Sequence, residues 1–250
     1  MGYVIAMAGK GGTGKTTLAA LIVRIIKEKK LGSILAVDAD PNSNLGDALG
    51  IELKESIGQI LDDIAAYPDK VPAGMSKDRF IEYRVQSAVS EGEGFDLLAM
   101  GKPEGPGCYC YVNNVLRGVM GKLIRDYDYV VIDNEAGLEH LSRRTTRTAD
   151  TLVVVADATS VGLRSAKRII ELTRDLDIKI KKSQLIVNRK NTDGEQLVIK
   201  DLGLECIGSI PQDADIEKIS LNGNSLMNLK EDAASILALR QIGEKIWQRN

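Results

Sequence analysis

Near the start of the chain, Gly9-Lys10-Gly11-Gly12-Thr13-Gly14-Lys15-Thr16 fits the spacing G-x-x-x-x-G-K-[ST]. The chemistry this spacing serves is the holding of a polyphosphate. Glycines at Gly11, Gly12 and Gly14, with Thr13 between them, let successive backbone N–H groups turn toward β- and γ-phosphate oxygens. A helix starting near Lys15 adds the positive end of its dipole. Lys15 then neutralises charge that grows as a γ-phosphoryl group is transferred. Thr16 can offer its hydroxyl to Mg²⁺, and Thr17 extends the same set.

Carboxylates suited to the metal and to an attacking water stand at two other strand ends. Val37-Asp38-Ala39-Asp40-Pro41 closes one, and Val130-Val131-Ile132-Asp133 closes another, followed by Asn134-Glu135-Ala136-Gly137. An Asp pair in such a place also serves simply to cap a turn. Val187-Asn188-Arg189 ends a further strand, where an Asn amide can pair with the exocyclic group of a purine. The guanine-reading pattern N-K-x-D is not met, because Arg189 and Asn191 replace its Lys and Asp.

A different chemistry is offered by Gly107-Cys108-Tyr109-Cys110, in a loop before the helical pattern Asn114–Arg125. Thiolates near a helix N-terminus have lowered pKa and bind metal readily. A buried structural pair is the other reading, since Cys is a common small core residue. The third cysteine, Cys206, sits in an apolar strand pattern that favours burial, and an odd count argues against a disulfide framework. His140, the sole histidine, reads as a satisfied polar residue of the helix after Gly137.

These residues need a scaffold that gathers strand ends. Short apolar runs at 3–8, 33–37, 95–99, 129–132, 151–156, 184–187 and 206–210 read as about seven strands buried on both faces. Helical patterns lie between most of them, at 16–29, 114–125, 161–176 and 194–202, and a last stripe carries Ile236, Leu239, Gly243 and Ile246. The alternation predicts an α/β, doubly wound, mostly parallel sheet with helices on both faces. The stretch 51–93 breaks the rhythm and reads as a mainly helical insertion within one domain spanning 1–250.

Composition sets outer limits. The 250 residues are 44% hydrophobic, an ordinary globular mix that excludes fibrous and disordered classes. Thirty-three basic against 35 acidic residues give a net charge of −2 with no long block of one sign, which argues against nucleic acid as a partner. The apolar run at Tyr3 reaches Gly9 at once, leaving no signal peptide, so the expected location is the cytoplasm. No run approaches the ~20 apolar residues of a membrane span, and none is expected to engage a membrane.

Lys10 is a second lysine inside the loop, and with it the sequence resembles the deviant Walker A ATPases. That group includes the MinD and ParA proteins, the nitrogenase iron protein, and the arsenite and tail-anchored-protein ATPases. The resemblance implies ATP and ADP as ligands and a nucleotide-sandwich homodimer in which Lys10 reaches the partner's ATP. It also implies that Asp40 positions or activates the water, that Asp38 holds a Mg²⁺-bound water, and that Asp133 reaches Mg²⁺. The Gly137 amide would sense the γ-phosphate. Asn188-Arg189 and Ile210-Pro211-Gln212-Asp213 resemble the adenine-side segments of the group, which favours ATP over GTP.

Within that group, Gly101-Lys102-Pro103-Glu104-Gly105-Pro106-Gly107 ahead of Cys108-x-Cys110 resembles the nickel-insertion ATPases of the CooC and AcsF kind. These serve the maturation of carbon monoxide dehydrogenase and acetyl-CoA synthase, so the resemblance implies one of those nickel enzymes as client. A two-fold axis near the loop would join Cys108 and Cys110 of both protomers in an S₄ site, suited to Zn²⁺ when tetrahedral and to Ni²⁺ when nearer square-planar. Two other classes compete. A spatial-organising ATPase of the MinD or ParA kind predicts a membrane anchor or basic patch, and the last helix ends in Gln248-Arg249-Asn250 without one. An iron–sulfur carrier like the nitrogenase iron protein has its cysteines widely separated, flanking the second switch, whereas these stand before Asp133.

Overall fold

The computed structural model describes residues 2–67, 71–101, 110–136, 148–190 and 203–248. Its strands are β1 (Tyr3–Gly9), β2 (Ile34–Ala39), β3 (Ser90–Gly92), β4 (Phe95–Ala99), β5 (Tyr129–Asn134), β6 (Thr148–Ala156), β7 (Lys179–Lys190) and β8 (Glu205–Pro211). They form one sheet in the order β3-β4-β2-β5-β1-β6-β7-β8. Every pairing is parallel except the β3–β4 hairpin. The described helices are α1 (Lys15–Glu28), α2 (Leu45–Leu49), α3 (Ile57–Ala66), α4 (Lys77–Ser87), α5 (Cys110–Leu123), α6 (Ser160–Asp175), α7 (Ala214–Leu221) and α8 (Ala234–Trp247).

Alternation along the central strand divides the core. Val4, Ala6 and Ala8 of β1 point into a layer built with α3, α4, α5 and α6. Ile5 and Met7 point into the opposite layer, with α1, α2 and α8. Both faces of β1 are therefore apolar, as parallel sheets covered on both sides require. The doubly wound architecture expected from the sequence is the one observed.

Local chemistry sets several helix starts. Ser56 and Gln59 form a reciprocal capping box on α3, Ser76 caps α4, and Thr159 caps α6. Within 51–93 the expected helices are α3 and α4, whose Ile60, Leu61, Phe80 and Ile81 join the same core layer as β1 and β2.

Some expectations need correcting. The described strands number eight rather than about seven, because β3 adds a three-residue antiparallel edge, paired through Gly92 and Phe95 across a turn at Gly94. Its three residues, Ser-Glu-Gly, carry no apolar alternation to read. α2 and α7 are short and were not expected either. α5 begins at Cys110 rather than Asn114, through a stretch of modest helix propensity. The expected helix at 194–202 lies outside the described residues.

One buried cation ties three elements together. Arg24 of α1, 5% exposed, donates from Nη1 to the carbonyls of Leu226 at 3.1 Å and Leu229 at 2.5 Å, and from Nε to Glu28 at 2.6 Å. Glu28 in turn accepts from Arg240 of α8 at 2.8 Å. Replacing Arg24 with Leu would orphan two buried carbonyls, a loss of about 2–3 kcal/mol. The expected readout is a melting temperature lower by roughly 5–10 °C; an unchanged melt would show that the network contributes nothing net.

Candidate functional site

The topology explains why the motifs meet. β1 lies at the middle of the sheet, where the winding reverses, and ligands of doubly wound folds sit outside the strand carboxyl ends at that switch point. The loop after β1 turns there into α1. Gly9 packs against β6 so closely that an added Cβ would lie 2.4 Å from the Val155 carbonyl oxygen. Gly14 is the N-cap of α1 at φ 91, and no side chain caps the helix. The first N–H groups of α1 are thus left for an anion.

The carbonyls of the loop are engaged from outside. Lys10 O accepts from the Thr13 hydroxyl at 2.8 Å and the Lys15 ammonium at 3.3 Å. Gly12 O accepts from Arg189 Nη1 at 3.1 Å, and Thr13 O from Asn188 Nδ2 at 2.8 Å. Lys15 and Thr13 are buried, while Gly11, Gly12 and the Lys10 side chain are exposed. Lys10 borders a second groove, of about 490 Å³, with Ala136 and Arg168 of α6.

Register brings the carboxylates together. Asp38 of β2 is the direct partner of Asp133 of β5, and strand alternation turns both toward the α1 face. From α1, Thr16 donates its hydroxyl to Asp133 Oδ2 at 2.6 Å. Asp133 Oδ1 is buried without a hydrogen-bond partner among the described residues. Buried polar atoms are seldom left so, and an oxygen beside a Thr hydroxyl and two carboxylates suits a hard cation. Thr16, Asp133 and Asp38 therefore fit Mg²⁺, which would supply charge neutralisation at the phosphates.

Asp38 has a structural duty as well. Its Oδ1 accepts from the Asp40 N–H at 3.1 Å and its Oδ2 from the Leu45 N–H at 2.8 Å, so it caps the turn leading into α2. Asp40 is half-buried beside it and accepts from the Asn42 N–H at 2.9 Å. Burial pushes the Asp38 carboxyl up to about 7, offset in part by the Leu45 amide and reinforced by the charge of Asp133. Burial likewise pushes Asp133 up to about 6, against the Thr16 hydrogen bond and the charge of Lys15.

Past Thr17 a groove of about 470 Å³ runs between Asn188, Arg189, Pro211 and α7. The four residues expected on the nucleotide side thus converge, although the expected role of Asn188 shifts. Its amide nitrogen is committed to the loop, leaving Oδ1 as the atom able to accept from an exocyclic amine. Gly14 supports this arrangement, since a Cβ there would stand 2.3 Å from Asn188 Nδ2. The α7 wall, with Ile216 and Leu221, was missed from sequence. Asp213 as N-cap, with Asp215 and Glu217 behind it, was the available helix-start signal.

Cys110 opens α5, while Cys108, Gly137 and His140 lie outside the described residues. Among the described residues no three His, Cys, Asp or Glu side chains gather into a metal site. Cys206 is half-buried in β8. Trp247 is 4% exposed, packed in the core, and no described helix is long and apolar enough to cross a membrane.

The raised carboxyls fix the sign of a pH dependence. Asp38 holds a proton below about pH 7 and Asp133 below about pH 6, whereas a bound cation would demand the ionised forms. Affinity for Mg²⁺·ADP should therefore rise roughly a hundredfold from pH 5.5 to 7.5 and then level off. Calorimetric titration across that range tests it, with ADP lacking Mg²⁺ as the control that shows no such gain. A flat profile would remove Asp38 and Asp133 from the cation site.

Comparison with known proteins agrees with this geometry. A family model, the CobQ/CobB/MinD/ParA nucleotide binding domain, matches residues 4–226. An uncharacterized ATP-binding protein of Methanocaldococcus jannaschii is 43% identical over 248 residues, covering 97% of this chain and 98% of that protein. The carbon monoxide dehydrogenase accessory protein CooC of Rhodospirillum rubrum is 30% identical over 245 residues, covering 90% of this chain and 89% of CooC. The septum site-determining protein MinD of Pyrococcus horikoshii OT3, solved with Mg-ADP, superposes with a TM-score of 0.72 at 21% identity, over 99% of this chain and 97% of that one. That last likeness concerns the fold. The chain belongs to the CobQ/CobB/MinD/ParA nucleotide-binding family.

Proposed function

We propose that the chain is an ATPase of the cytoplasm that delivers nickel to a client enzyme, carbon monoxide dehydrogenase or acetyl-CoA synthase. ATP closes a homodimer, Cys108 and Cys110 of both protomers hold the metal, and hydrolysis reopens the dimer and releases it. Zn²⁺ is the alternative occupant of the same thiolates, because softness alone does not separate the two metals. Lys15 and the amides of Gly11 to Thr16 carry the phosphates, with Thr17 beside them. Asp40 orients the attacking water, and Lys10, standing outside its own groove, serves the partner's nucleotide. Asn188 Oδ1, Arg189 and Pro211 select adenine.

One observation carries the reading. The segment that bears the cysteine pair leaves β4 directly beside the nucleotide site: the Met100 N–H donates to the Asp38 carbonyl at 2.7 Å, and α5 opens at Cys110. A change at Asp38 is thereby passed to Met100, the start of the sequence that leads to the cysteines, as a nucleotide-gated metal site requires. The 30% identity to CooC over nearly the whole chain supports the same choice. A spatial-organising role is the second reading, favoured by a family that includes MinD and ParA.

Nickel stoichiometry with and without ATP, on wild type and on Cys108→Ala/Cys110→Ala, with the oligomer mass read on the same samples, tests the proposal. The expected result is about one Ni²⁺ per dimer, lost in the double variant. Metal binding that is absent, or indifferent to the cysteines, would sink the delivery role in favour of the spatial-organising one. A brown protein absorbing near 400 nm would point instead to an iron–sulfur cluster.

A further inference from the structure

Asn134 closes β5 next to Asp133, and the two side chains leave the strand on opposite faces. Val130 and Ile132, on the same alternation as Asn134, lie in the layer built with α3 to α6. The Asn134 amide therefore enters that apolar layer, beside its register partner Ala39, while Asp133 faces α1. It is 1% exposed.

Nδ2 of this amide donates to the Met7 carbonyl at 2.8 Å, just ahead of Gly9, where the phosphate loop leaves β1. That bond fixes which end is the oxygen, since a flipped amide would set Oδ1 against a carbonyl. The base of the loop is thus held from both faces of the sheet, by Asn134 on Met7 and by Thr16 on Asp133. Oδ1, by contrast, is buried with no hydrogen-bond partner among the described residues. An amide left half-paired stabilises less than an apolar side chain of similar volume would, so packing alone does not account for it. A buried acceptor left open marks a partner that arrives in another state.

We propose that Asn134 is a positioning residue for ATP hydrolysis, holding the base of the phosphate loop through Met7 and taking the Ala136 N–H on its free oxygen once ATP is bound. Ala136 is the donor that the sequence offers. An Asn side chain reaches the backbone N–H two residues on, and the chain bends at Ala136 as it leaves β5. Ala136 also borders the groove beside Lys10, so this turn lies next to the loop that takes the phosphates. A phosphate in the loop changes the surroundings of the turn, and the open acceptor gives it a second arrangement to settle into. The proposal rests on the reading of the loop as the seat of ATP, and not on the delivery of nickel.

The test measures steady-state hydrolysis of Mg²⁺·ATP and the melting temperature on the full chain. It compares wild type with Asn134→Leu, which fills the space without either bond, and with Asn134→Ser, which keeps a donor and an acceptor. Asn134→Leu should lower kcat roughly tenfold, with KM for ATP within about twofold and no loss of melting temperature, and Asn134→Ser should recover part of the rate. Amide hydrogen exchange should show the Ala136 N–H protected by a non-hydrolysable ATP analogue in wild type, but neither by ADP nor by the analogue in Asn134→Leu. A wild-type kcat in Asn134→Leu, or a fall in kcat matched by a fall in melting temperature that Asn134→Ser does not relieve, would overturn the proposal and leave the amide a packing residue. Ala136 exchanging alike with ADP and with the analogue would overturn it as well. A wild type that binds Mg²⁺·ADP but hydrolyses no ATP would instead remove the ATPase reading, and the proposal with it.

Discussion

A single hydrogen bond, Thr16 to Asp133 at 2.6 Å, joins the first turn of α1 to the end of β5. It exists only because α1 starts one loop after β1 and because β5 is the hydrogen-bonded neighbour of β1. The same adjacency leaves β2 on the far side of β5, so Asp38 arrives at the register position of Asp133. Two carboxylates and a hydroxyl are thereby fixed under a loop whose carbonyls are pinned by Asn188, Arg189, Thr13 and Lys15. Such fixed groups need no reorganisation when charge develops at a phosphate, which is the main source of electrostatic catalysis.

The cost of this arrangement lies in the empty state. Two buried acids share one small volume, and each is pushed toward its neutral form by burial and by the charge of a neighbouring Asp. The stability these ionised groups remove from the free protein is returned when a cation occupies the site. The Leu45 and Asp40 amides tie the Asp38 carboxylate to the turn into α2, and the Met100 amide ties the Asp38 carbonyl to the end of β4.

How much of this could be read from sequence follows from what each feature depends on. The phosphate loop and Asp133 were legible because their spacing is local and the flanking apolar runs give the strand and helix. The convergence of Asn188 and Pro211 on the loop was legible in outline, since a parallel sheet collects its carboxyl ends at one edge. The bond from Asn188 to Thr13, 175 residues apart in sequence, was not, because nothing local encodes which atom of an amide faces the loop. β3, α2 and α7 escaped because pairing or capping defines them rather than hydrophobic period. Asp38 was read both as a metal-side residue and as a turn cap, and its two backbone hydrogen bonds show the cap, whose partner Leu45 opens the unread α2.

The proposed seat of the nucleotide would give its two ends different surroundings. Phosphate oxygens meet atoms already held in place by the sheet, and the gain there is electrostatic and immediate. A base seated in the groove proposed for it would lie beside a helix with no buried residue, where contacts are fewer. A ligand changes a conformational equilibrium only by the difference in its affinity for the two states. Loop contacts that are the same in both states therefore cannot drive a switch, however strong they are. The contacts able to do so are those whose partners can rearrange, and the Asp38 turn, hydrogen-bonded to Asp40, Leu45 and Met100, is such an element beside the phosphate loop. An ATPase that must do more than hydrolyse ATP needs such an element, and in this chain the Asp38 turn links the phosphate loop's neighbours to the ends of β4 and α2.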